Sequence, residues 1–212
     1  MSASVVASEA FEDVLRFWFP TRLAEGVTPE QLDWWFAGGS DAEILRRFRP
    51  LHERAVRGAL DGWSRAARSR LALILVFDQF SRTLHRGSAD AFAQDARAQA
   101  LTLEGLENGH CASLGSAWEK TFFFLPLGHS EELAHQQRAV SLAEALAREA
   151  TPAERPLLEH SASQARGHRD VIARFGRHPH RNAVLGREST PEELAYLAKG
   201  DLVHQRRPPK QD

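Results

Sequence analysis

Between Arg166 and Arg187 the sequence places six arginines, at 166, 169, 174, 177, 181 and 187, against a single acid, Asp170. The whole chain carries a formal net charge of -1, so this local excess of positive charge is offset elsewhere. Guanidinium forks grip carboxylates and phosphates with paired hydrogen bonds, and helix N-termini add backbone donors for the same anions. Arg177, His180, Arg181 and Arg187 are therefore candidates for an anion site. Gly176 and Gly186 permit tight turns there, and Pro179 stiffens the chain between two histidines. The plainer alternative is a solvated loop whose arginines neutralise helix C-termini. The charge asymmetry favours the anion site, although lysine occurs only at 120, 199 and 210, so arginine is common throughout.

Other polar groups stand where an apolar face is expected. DQFSR, Asp78–Arg82, closes the most hydrophobic stretch of the chain, LALILVF, Leu71–Phe77. Asp78 and Arg82 lie one helical turn apart on one face. If that helix is buried they must pair, either as a tie between helices or as part of a site. In GHSEELAHQ, Gly128–Gln136, Glu132 and His135 share a helix face. One Glu-x-x-His pair falls short of the ligand set of a di-metal bundle, so neither metal nor cofactor is expected. His168 sits on the stripe of Ile172 and Phe175, where a hydrogen-bonded core histidine is the ordinary reading. Asp170 precedes Arg174 by one turn, which predicts a second acid–base pair.

The elements that must position these groups are helices. Thr28-Pro29-Glu30-Gln31, Thr151-Pro152-Ala153-Glu154 and Thr190-Pro191-Glu192-Glu193 each read as a helix start: a capping threonine, a proline in the first turn, and Glu or Gln closing a capping box. Ser40, Ser88 and Ser116 read as further caps. Pro20, Gly38-Gly39, Gly87, Gly109, Pro126 and Gly176 read as stops. Apolar residues recur at helical spacing: Phe11, Val14, Leu15 and Trp18; Ile44, Phe48 and Leu51, continued by Ala55, Ala59 and Trp63; Leu133, Val140, Ala143 and Leu146; Leu158, Ala165, Ile172 and Phe175. Alternating β-branched runs are missing. The expectation is an all-α chain of about eight helices without a sheet: one domain over 1–200 and a flexible polar tail over 201–212.

The totals bound what such a domain does. The chain has 212 residues, 42% hydrophobic and 26% charged, as in an ordinary globular protein. The near-neutral charge gives no argument for nucleic acid or membrane partners. One cysteine, Cys111, permits no intramolecular disulfide and reads as a small semi-buried hydrophobe. No apolar run approaches membrane-spanning length and the first residues show no signal-peptide pattern, so a soluble, cytoplasmic protein is expected.

Three segments taken together, DQFSRTLHRGSADAFAQD (78–95), FFFLPLGHSEELAHQQRAV (122–140) and GHRDVIARFGRHPHRNAVLGREST (167–190), with the early VLRFWFP (14–20), resemble an uncharacterised bacterial family, domain of unknown function nine-two-four. The likeness covers nearly the whole chain. It implies a tetratricopeptide-like superhelix of antiparallel helices with a concave face. Asp78, Gln79, Arg82, Arg86, His129, Ser130, Glu131, Arg174, Gly176, Arg177, His180, Arg181, Asn182, Gly186 and Arg187 match the family's pattern. Ser81, Thr83, His85, His135 and Gln137 depart from it. The resemblance brings no reaction with it.

Two functional readings follow. In the first, Asp78, Gln79, Arg82 and Arg86 join His129, Glu131, His168, Arg177, His180, Arg181, Asn182 and Arg187 in a pocket for a small or peptidic anion, a carboxylate or phosphate, with Phe122, Phe123 and Phe124 as apolar walls. If chemistry occurs there, His129 or His180 serves as general acid or base. No G-x-S-x-G or P-loop motif supports acyl transfer or nucleotide hydrolysis. In the second, the concave face takes an acidic peptide or partner protein, and the polar motifs hold helices together. A metal-dependent hydrolase ranks third.

Overall fold

The structure, a computed structural model, describes residues 3–20, 23, 26–200, 202 and 203. Among these there is no strand, and ten α-helices replace the expected eight or so. They are α1 (Ala3–Trp18), α2 (Pro29–Phe36), α3 (Asp41–Arg47), α4 (Arg49–Val56), α5 (67–84), α6 (Asp95–Glu107), α7 (Ala117–Gly128), α8 (Leu133–Glu149), α9 (Arg155–Phe175) and α10 (Pro191–Ala198). Short 3-10 turns cover Asp61–Arg65, Ala89–Phe92 and Pro179–Arg181. No helix among the described residues is long and apolar enough to cross a membrane.

The extra helices have local causes. The stripe from Ile44 to Trp63 is not one helix. Pro50 lacks an N–H and sits in the first turn of α4, so the chain breaks at Phe48, and Trp63 belongs to a separate 3-10 turn. Pro126, read as a stop, lies inside α7, which continues to Gly128. Ser88 precedes a 3-10 turn instead of an α-helix. Thr151 caps a turn through its bond from the Glu154 N–H, and α9 begins at Arg155. Of the tail, only Leu202 and Val203 are described, and both are buried; the expected flexibility of 201–212 otherwise lies outside the described residues.

The chain divides into two compact units, Met1–Arg86 with Asp90–Pro126, and Gly87–Ala89 with Leu127–Asp212. In the first, the carbonyls of Phe17 and Trp18 in the last turn of α1 accept the indole N–H groups of Trp34 and Trp35 at 3.2 and 2.9 Å. Trp18, Trp35, Phe80 and Phe122 interlock nearby, Trp18 meeting Phe122 edge-on at 5.4 Å. The centre of α5, Ser69–Asp78, is buried on every side, as LALILVF predicts. α5 passes from a regular helix, Ala67–Leu75, through a π-helical turn, Val76–Phe80, into Ser81–Leu84. Ser81 Oγ lies 2.8 Å from His52 Nε2 on α4. Burial, helped by His85 and Arg49, lowers the His52 pKa to about 4.

Gly105 on α6 has the least room of the glycines in this unit. A Cβ there would penetrate the Phe123 ring and stand 2.8 Å from Arg70 Cδ. Arg70 cannot give way freely: it is 1% exposed and bonded to His110, the Leu101 carbonyl and Glu104. Gly105→Ala is therefore expected to cost about 1–3 kcal/mol despite the better helix propensity of alanine, measured by urea denaturation.

In the second unit, α8 and α9 form a helical hairpin. Ala139, Val140, Ala143 and Ala147 are buried on α8; Leu157, Leu158, Ala162, Val171 and Ile172 are buried on α9. α9 ends where Gly176 turns to φ 67°, its N–H returning to the Ile172 carbonyl at 2.8 Å. This stop delivers the arginine-rich loop.

Candidate functional site

In the first unit the π-helical turn holds Asp78, which is 1% exposed. Gln79 donates to Asp78 Oδ2 at 2.6 Å. Arg82 Nη1 donates to the Asp78 carbonyl at 2.6 Å and lies 3.2 Å from Oδ1. The Arg82 fork also closes on Asp95 at 3.0 and 3.1 Å. The predicted Asp78–Arg82 pair thus forms, with Asp95 as a second carboxylate. Burial works against the Arg82 charge, but Asp78 and Asp95 outweigh it and raise its pKa. Arg86 stands apart, paired with Asp41 at 2.7 Å.

In the second unit the loop after Gly176 is fastened by two carboxylates. Glu193 on α10 receives the Arg177 fork at 2.6 and 2.8 Å, the Thr190 N–H at 2.7 Å and Asn182 Nδ2 at 3.3 Å. It also completes the capping box with Thr190. Its pKa falls to about 2, chiefly through the Arg177 hydrogen bonds. Glu131 receives Arg187 at 2.7 and 3.0 Å and the His178 backbone N–H at 2.8 Å. Burial opposes ionisation of Glu131, but the Arg187 and His178 bonds, with the charges of Arg187 and Arg181, lower its pKa.

The His178 imidazole is 1% exposed. It lies 5.6 Å from the His168 ring and 5.4 Å from that of His180, between centroids. Burial first, then Arg181 and the neighbouring His168, His180 and His129, press its pKa far below the ordinary range, so it is neutral at physiological pH. Arg181 and Asn182 are buried; His129, His168 and His180 are half-buried. Three buried atoms, His178 Nε2, Asn182 Oδ1 and Arg187 Nε, have no hydrogen-bond partner among the described residues.

Of the twelve predicted residues, Asp78, Gln79 and Arg82 cluster in the first unit. His129, Glu131, His168, Arg177, His180, Arg181, Asn182 and Arg187 belong to the second. Clefts of ≈ 290 and ≈ 250 Å³ are lined by none of the twelve. The expected Asp170–Arg174 pair does not form. Asp170 takes the neighbouring Arg169 at 2.7 Å, and Arg174, at the end of α9, takes Glu192 in the first turn of α10 at 2.6 Å. Arg166 takes Glu144 at 2.9 Å. Glu132 and His135 approach to 3.6 Å, and Ser130 Oγ lies 2.9 Å from His135 Nδ1. Among the described residues no three His, Cys, Asp or Glu side chains gather to hold a metal ion. The sequence reading missed His178, Glu193 and Asp95. The capping box signalled Glu193, but as a helix start and not as the partner of Arg177.

The family model of bacterial proteins of unknown function, DUF924, matches residues 14–201. The chain belongs to this family. A solved structure of a protein of unknown function from Agrobacterium tumefaciens, ATU0120, is 36% identical, with a TM-score of 0.73, over 92% of this chain and 99% of that one. No curated protein matches. The DUF924 motifs thus have physical partners: Glu131 of the HSE segment meets His178 and Arg187 of the arginine-rich segment.

Proposed function

We propose that this DUF924 protein binds a small or peptidic anion, a carboxylate or phosphate, in its second unit. Arg181 and His178 form the floor of the site, and His129, His168 and His180 form its half-exposed wall. Arg177 holds the loop through Glu193, and Asp78, Gln79, Arg82 and Arg86 tie their own unit together. The observation that carries this reading is the run of three buried polar atoms without partners between His178 and Arg187. Buried polar groups in native proteins are almost always satisfied, and a concentration of exceptions calls for a bound species. A neutral imidazole offers one N–H donor, and the guanidinium of Arg181 supplies charge that water does not screen there.

The test is a thermal-shift series with inorganic phosphate and citrate against sodium chloride of equal ionic strength. Wild type is expected to gain stability specifically with the anions. Arg181→Gln and His180→Ala are expected to lose that gain. An equal gain in wild type and both variants would sink the proposal.

A second reading, a tetratricopeptide-like scaffold for a partner protein, is favoured by the α8–α9 hairpin and by the exposed Leu133 and Leu194 of the same unit.

A further inference from the structure

The loop already contains one bound anion, and it belongs to the chain. Glu131 Oε2 accepts from Arg187 Nη1 at 2.7 Å, while Oε1 accepts from Arg187 Nη2 at 3.0 Å and from the His178 N–H at 2.8 Å. The charge of Arg181 acts on the same carboxylate. Two fork donors and one backbone donor facing two carboxylate oxygens make a built carboxylate seat. The seat is not sealed: the Glu131 side chain is 31% exposed and that of Arg187 24% exposed. Arg187 also keeps a buried Nε without a partner among the described residues, so its hydrogen bonding is incomplete with Glu131 in place.

We propose that this seat recognises the carboxylate group of the ligand, and that Glu131 is a tethered stand-in that yields it. The proposal rests on the anion-binding reading above and narrows its ligand to a carboxylate. An incoming carboxylate replaces Glu131 without altering the charge balance around Arg187 and Arg181. A carboxylate reproduces, in charge and in its two oxygens, the group that these donors already hold, the Glu131 side chain. Such a carboxylate comes from a small acid or from a peptide end, and both present the same two oxygens.

The test is chemical rescue in the full chain. Glu131→Ala empties the seat, and Glu131→Gln weakens its occupant while keeping its shape. Acetate stands for a small acid and trialanine for a peptide C-terminus, each compared with chloride at equal ionic strength. Glu131→Ala is expected to gain roughly 3–5 °C in Tm for each tenfold rise in acetate or trialanine above the dissociation constant. Glu131→Gln is expected to gain less and wild type least, and Glu131→Ala/Arg187→Ala nothing. A response to either probe supports the seat and identifies its source. No specific response in Glu131→Ala, or the same response after Arg187→Ala, overturns the proposal. If Glu131→Ala does not fold, Glu131→Gln decides alone: a response no larger than that of wild type overturns it. An Arg181-dependent phosphate shift without acetate rescue leaves the histidine site standing and removes the seat; rescue without that shift does the reverse.

Discussion

Arg82→Ala is expected to destabilise the chain by about 3–5 kcal/mol, a fall of roughly 10 °C in Tm for a protein of this size. The reason is what the substitution leaves behind. Arg82 stands between two carboxylates, Asp78 at 3.2 Å and Asp95 at 3.0 Å. Asp78 is 1% exposed and cannot turn to water. Removing the guanidinium leaves two like charges together in a poorly solvated place. It also strips the Asp78 carbonyl of a 2.6 Å donor within the π-helical turn. Arg82→Lys keeps the charge and loses the two-pronged bond to Asp95, so its fall is expected to be smaller. Thermal and urea denaturation of both variants check this. Equal losses for Ala and Lys would show that the fork geometry, and not the charge, does the stabilising.

Glu193→Gln is expected to lower Tm by several degrees at pH 7 and to change how stability depends on pH. The Glu193 pKa in the fold, about 2, lies below the ordinary 4.5. A depressed carboxyl pKa stabilises the fold above its unfolded value, and that contribution fades as pH falls from about 4.5 toward 2. The gap in stability between wild type and Glu193→Gln is therefore expected to be widest above pH 5 and to close through that window. Denaturation of the pair at several pH values measures it. A gap that stays constant down to pH 2 would remove Glu193 as the ionised lock of the loop. Arg177→Ala is expected to mimic the variant and to add little to it, since both remove one interaction.

Local chemistry made much of the fold readable. Helix starts at Thr28 and Thr190 are spelled by residues within four positions, and both caps form. Breaks decided by a competing nearby residue were harder: Pro50 splits a continuous apolar stripe, while Pro126 is absorbed near the end of α7. The site was half legible. Arg177, Arg181 and Arg187 stood out by charge and Glu131 was grouped with them, but Glu144, Glu192 and Glu193 were not read as the partners of Arg166, Arg174 and Arg177. Glu131, Glu144, Glu192 and Glu193 all lie outside the stretch in which the arginines were counted, so the local excess of charge is largely met by chain folding back. The pairing of Arg174 with Glu192, and not with Asp170 on its own helix, has the same origin.

The π-helical turn Val76–Phe80 behaves as one residue inserted into an otherwise regular helix. Its effect is one of phase. Each residue advances an α-helix by about 100°, so everything after the wide turn is rotated against everything before it. In the present phase Ser81 reaches His52 and Thr83 reaches Asp41 at 2.9 Å. Deleting a single residue from the turn would let α5 run straight, and both hydroxyls would swing to a different side of the helix. The segment is thus a spacing device as much as a set of side chains, and a one-residue deletion there reaches contacts that no substitution at Asp78 or Arg82 touches.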